Sequence, residues 1–150
     1  MRQLFKKSAA AATMGALMLG AAFGQVTPTL PAVQKSGQVE YLTGGIGLDQ
    51  STAIERVSKQ WPLTLEFAVK DKARADFAAD VKTVVRDAKG HPVMQVDSAG
   101  PFLLAKLEPG RYSVDASLAG KTLHESVVVK RGEAAKAVFL WPAGTDSSRS

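Results

Sequence analysis

The sequence contains no cysteine. That absence excludes disulfide frameworks, Cys-x-x-Cys redox chemistry, cysteine-ligated zinc, thiol nucleophiles and a lipoprotein acylation site. Histidine is nearly as scarce, with only His91 and His124 in 150 residues. The first falls in a predicted turn and the second within a predicted strand, without the spacing that converges on a metal. Both are read as solvent-facing residues, and no metal site or cofactor is expected. A G-x-S-x-G elbow is also missing, so no catalytic residue is assigned. Aromatic residues make up 7% of the chain, which leaves Trp61 and Trp141 as the candidates for stacking against a ligand. Their competing role is packing at the edge of a core.

Charge is unevenly placed. Met1 to Lys7 carries Arg2, Lys6 and Lys7 and no acid, and Ser8–Gly24 follows as 17 uncharged residues rich in Ala and Gly. A basic start, an apolar stretch and a small-residue end form the layout of a secretory signal peptide. Ala22-Phe23-Gly24 directs cleavage before Gln25, with cleavage after Ala22 as the second choice. The stretch falls short of the roughly 20 strongly apolar residues of a membrane span. Residues 1–24 are therefore expected to be removed, leaving an exported chain with no stable span, in the periplasm or secreted. Three of the 19 Lys and Arg lie in that segment, which leaves 16 against 14 Asp and Glu. Along the rest the signs alternate, as in Lys70, Asp71, Lys72, Arg74 and Asp76. Such alternation marks a solvated surface, and nucleic-acid binding is excluded.

Periodicity then divides the mature chain. Residues 25–47 read as an extended, proline-containing lead-in that includes a short strand at Val39–Thr43 and ends in the turn Gly44-Gly45-Ile46-Gly47. Residues 48–62 read as a helix: Ile54, Val57 and Trp61 share one face, Asp49 or Ser51 is placed to cap it, and Pro62 ends it. From Leu63 the period changes to two. Leu63, Leu65, Phe67 and Val69 alternate with Thr64, Glu66, Ala68 and Lys70, as a half-buried strand requires. Further strands are expected at Phe77–Arg86, Pro92–Val96, Phe102–Leu107, Tyr112–Leu118, Lys121–Val129 and Ala134–Trp141, before a polar tail over 142–150. Glu125 shares parity with Leu123, Val127 and Val129, which implies either a bulge or an acid at an edge. Short strands separated by turns every 8 to 12 residues predict a mainly β, seven-stranded antiparallel sandwich over 63–141 carrying one N-terminal helix.

Several residues of this region follow a known pattern. Val84, Asp87 and Gly90, then Phe102, Leu107, Pro109-Gly110, Tyr112 and Val114, then Gly120, resemble the V-x-x-D-x-x-G … F-x-x-x-x-L-x-P-G-x-Y-x-V … G run of carboxypeptidase regulatory-like domains. The resemblance spans Phe77 to Trp141 and implies a transthyretin-like (prealbumin-like) Greek-key sandwich. With Gly44-Gly45-Ile46-Gly47-Leu48-Asp49, the chain is similar to small exported proteobacterial proteins that carry this domain. The matched residues build turns and open strands, so the resemblance speaks to fold and transfers no binding residue. It implies an accessory or binding module, not an enzyme; the signal peptide, the seven-strand pattern and the lack of a catalytic constellation add the expectation that the partner is another envelope protein or a cell-envelope component. A small-ligand or carbohydrate-binding module using Trp61 or Trp141 is the alternative. A transthyretin-type hydrolase is disfavoured, because the ending Thr145-Asp146-Ser147-Ser148-Arg149-Ser150 lacks that family's Tyr-Arg-Gly-Ser-type tail.

Overall fold

A computed structural model describes residues 30–71 and 74–145. The proposed signal segment and the end of the polar tail lie outside the described residues. Two sheets and one helix account for the regular structure there. The strands are β1 (Gln34–Ser36), β2 (Val39–Gly44), β3 (Leu63–Asp71), β4 (Arg74–Phe77), β5 (Lys82–Arg86), β6 (Pro92–Asp97), β7 (Phe102–Ala105), β8 (Gly110–Leu118), β9 (Lys121–Val129) and β10 (Ala135–Trp141), and helix α1 is Leu48–Ser58. One sheet has four strands in the order β9-β8-β5-β6. The other has six, running β10-β3-β7-β2-β1, with β4 also pairing β3.

The architecture is mainly β and sandwich-like, but it departs from seven antiparallel strands in three ways. First, the lead-in is not merely extended: β1 and β2 join the six-stranded sheet, because Val39 and Leu42 have cores to enter. Second, Phe77–Arg86 is two strands. Ala78 N–H turns back to the Phe67 carbonyl, Asp80 adopts a positive φ, and Val81 N–H is taken by Ser98 Oγ at 3.0 Å, so the ladder restarts at Lys82. Third, β10 runs parallel to β3, from Ala135 opposite Leu63 to Trp141 opposite Val69. It reaches β3 from the other sheet through residues 130–134, and no hairpin imposes the antiparallel sense.

The inner faces of both sheets meet in one core. Leu65, Phe67, Leu103, Phe139 and Trp141 from one sheet face Val85, Met94, Val114, Ala116 and Leu118 from the other. A second, smaller core lies on the outer face of the six-stranded sheet, where Ile54 and Trp61 pack on Leu42, Phe102 and Leu104. Strand β7 is consequently buried at all four residues. Each large apolar side chain buried this way contributes about 1.5–3 kcal/mol.

The helix is shorter than its periodicity predicts. It ends at Ser58, and Trp61 is delivered by tight turns in which Gln60 and Trp61 N–H groups donate to the carbonyls of Val57 and Ser58. Its N-cap is Gly47, without a side-chain cap. Asp49 sits in the first turn, and Ser51 Oγ donates to the Leu48 carbonyl instead of capping. Glycine is required where this helix meets the sheet. A Cβ on Gly100 would lie 2.4 Å from the carbonyl carbon and oxygen of Gly44, and one on Gly45 (φ +107) would lie 2.6 Å from Phe102 Cδ2. Gly45 N–H donates to Gln50 Oε1 at 2.6 Å. The glycine stretch thus seats the helix and fits its expected role as a tight turn.

Candidate functional site

Three loops converge at one end of the sandwich: residues 59–62 after the helix, 106–109 before β8, and 130–133 between β9 and β10. They enclose a cleft of about 480 Å³. Trp61, Pro62, Leu107 and Pro109 supply apolar lining, and charge comes from Lys59, Lys130 and Arg131 against Glu108 and Glu133. None of these three cations is held in an ion pair among the described residues. The lining offers charge and apolar surface, with no hydroxyl, thiol or imidazole side chain. An adjoining hollow of about 480 Å³ shares Leu107 and Glu108 and adds Val39, Val93 and Tyr112.

The local chemistry keeps the dividing loop in shape. Pro109 and Gly110 make the turn, and Tyr112 Oη donates to the Glu108 carbonyl at 2.7 Å, tying the strand to its own loop. Burial foremost, then the carboxylates of Glu108 and Asp87, holds the Tyr112 phenol above its ordinary pKa. Lys106 stands with Nζ 5.1 Å from the Trp61 ring centroid and 3.4 Å from Glu40 Oε1, so that the indole carries a cation beside the cleft.

The two tryptophans do not form one platform. Trp141 is fully buried in the sandwich core, stacked on Phe139 with ring centroids 6.3 Å apart, and its Nε1 donates to the Lys121 carbonyl at 2.9 Å. It has no free face for a ligand, because the last strand turns its odd residues inward. Trp61 belongs to the other core, is 8% exposed where it lines the cleft, and has Lys106 over its ring. Core packing explains both positions.

The histidines are exposed, and both have carboxylate neighbours. At the turn after β5, Asp87 Oδ1 accepts the N–H groups of Lys89 and His91, each at 2.9 Å. The His91 N–H foremost draws the Asp87 carboxyl below the usual carboxylate range, against a smaller desolvation effect. On the outer face of the four-stranded sheet, His124 Nδ1 meets Asp115 Oδ1 at 2.5 Å, and Arg86 Nη1 donates to Asp115 Oδ2 at 2.6 Å. This row crosses three strands and depends on the register that sets Asp115 opposite both His124 and Val84. Sequence spacing alone carries no sign of it. Nor does β9 bulge at Glu125, which stands opposite Val114 in unbroken register and is exposed.

Among the described residues, no group of three or more His, Asp or Glu is placed to hold a metal ion, and no helix is long and apolar enough to cross a membrane. Set against known proteins, the chain matches no protein-family model and no curated protein sequence.

Proposed function

We propose that this chain is an exported, non-catalytic binding module. In this reading, a carboxypeptidase regulatory-like sandwich with Greek-key connections presents its loop end to another envelope protein or to a cell-envelope component. The observation that carries the reading is the cleft: Lys59, Lys130 and Arg131, none in an ion pair among the described residues and outnumbering Glu108 and Glu133, set beside Trp61 and an apolar lining. An excess of cations beside apolar surface suits a partner segment that combines carboxylates with apolar side chains. The basic and apolar N-terminus supports delivery to the periplasm by a signal peptide cut before Gln25.

In-cell photo-crosslinking from position 60, an uncharged lining position of the cleft, in the exported chain, tests the reading. One reproducible envelope partner is expected, lost in the double variant Lys130→Glu, Arg131→Glu while the far-ultraviolet circular dichroism is unchanged. Capture that is indifferent to both charge reversals rejects the cleft as the binding site. The intact mass of the exported chain checks the cut before Gln25.

A further inference from the structure

A strand that ends a sheet exposes unpaired backbone N–H and C=O groups and templates pairing with another chain unless something blunts it. The paths of the two sheets end in β9, β6, β10 and β1. Three of these are blunted. Strand β6 starts at Pro92, its pairing slips at Val85/Arg86, and the Ser36 hydroxyl accepts from the Gln95 N–H (3.0 Å) and donates to the Gln95 carbonyl (3.1 Å). Strand β1 is only 3 residues long. Strand β9 carries Lys121, His124 and Glu125 and gives the Lys121 carbonyl to the Trp141 indole.

Strand β10 lies against β9, to which the Trp141 indole ties it, but among the described residues its backbone edge has none of these devices. It is 7 residues long, contains no proline, and keeps unbroken register with β3. Its one charge, Lys136, is already compensated by Glu66 Oε1 at 3.0 Å. Backbone parity determines what its free edge shows. Ala135 N–H donates to the Pro62 carbonyl, so the odd-numbered residues turn their backbone groups to β3. Lys136, Val138 and Leu140 therefore turn theirs to the free edge. The same three residues carry the strand's exposed side chains, with Val138 51% and Leu140 49% exposed.

We infer that β10 is a self-association edge, at which two copies of this chain pair antiparallel about a twofold axis at Val138 and join their six-stranded sheets. The strand's own parity makes this register complementary to itself. Val138 falls opposite Val138 of the second copy, and Lys136 falls opposite its Leu140. All are edge-facing residues, so every facing pair exchanges N–H···O=C bonds. On the outer face, valine meets valine and the aliphatic stem of Lys136 covers leucine, while its ammonium stays on Glu66. A slip by one residue sets edge-facing against sheet-facing backbone and loses those bonds. The compensated lysine also removes the charge repulsion that would otherwise accompany self-pairing.

Sedimentation equilibrium of the chain purified after export is the test, with circular dichroism to follow the fold. A dimer is expected for the unaltered protein. Val138→Glu sets two carboxylates facing each other on the axis, each beside Glu66, and is expected to weaken association about fivefold. Val138→Pro removes only an edge-facing N–H and is expected to act in the same direction, whereas Val138→Ile retains the dimer. Because the chain has no cysteine of its own, Val138→Cys is expected to give a covalent dimer on mild oxidation, and Thr122→Cys on the other sheet is not. A monomer at high micromolar concentration, or a dimer indifferent to both Val138→Glu and Val138→Pro, overturns the proposal.

Discussion

The two sheets share a core yet meet different surroundings. The six-stranded sheet is covered on both faces where α1 crosses it, and β7 has no solvent-facing residue. The four-stranded sheet is covered on one face and presents Arg86, Asp115 and His124 to solvent on the other. The contrast shows where this fold is brittle. A side chain in β7 has a neighbour above and below, whereas one on the outer face of β8 or β9 has water above it.

The sharpest way to break that comparison is at its extremes. Phe102→Ala is expected to lower unfolding free energy by about 3–5 kcal/mol, since the ring is 1% exposed between helix and sheet. Urea unfolding measures this, and a loss below about 1 kcal/mol means the helix does not pack there as described. Next comes Gly100→Ala, expected to cost about 1–3 kcal/mol, because its methyl group meets the Gly44 backbone and no flexible side chain can yield.

Tyr112→Phe is smaller, about 1 kcal/mol for the bond to Glu108. Its pH dependence has a definite sign. The folded phenol is raised, so the fold favours the neutral form. That contribution is complete below the ordinary phenol pKa and is lost as pH rises through the folded value. Tyr112→Phe is therefore expected to flatten the alkaline limb of a stability–pH curve. Smallest is the exposed row on the other sheet face. Asp115→Ala is expected to cost no more than about 1 kcal/mol and His124→Ala less, because the groups involved are partly solvated. Thermal melts in low and high salt measure both, and a larger loss moves the outer face into the brittle class.

The legibility of the fold follows the same division. Over β8 the alternation of Tyr112, Val114, Ala116 and Leu118 with polar residues marks a strand open on one side, and that strand is there. Over β3 the same alternation understates burial. Thr64 and Ala68 are buried along with Leu63, Leu65, Phe67 and Val69, because other elements cover the outer face. Ile54 announces the packed face of the helix, whereas the turns that detach Trp61 from it are set by local hydrogen bonds. Pairing of β10 with β3 and the Arg86–Asp115–His124 row are settled by long-range register, which no local window contains. The cleft was hidden for the same reason. Its three loops are far apart in the chain, and each alone reads as an ordinary polar turn.

The parallel pairing of β3 with β10 has a kinetic consequence. Leu63 and Trp141 bracket most of the chain, yet the strand beginning at one is sealed only by the strand ending at the other. A ribosome delivers β3 early, and its flank then stays open until nearly the last described residue has emerged. Long-range closure of this kind slows folding. A nascent chain cannot complete its larger sheet before β10 is made, so folding waits for that strand, and a chain cut short before Ala135 leaves Phe67 and its neighbours without their lid.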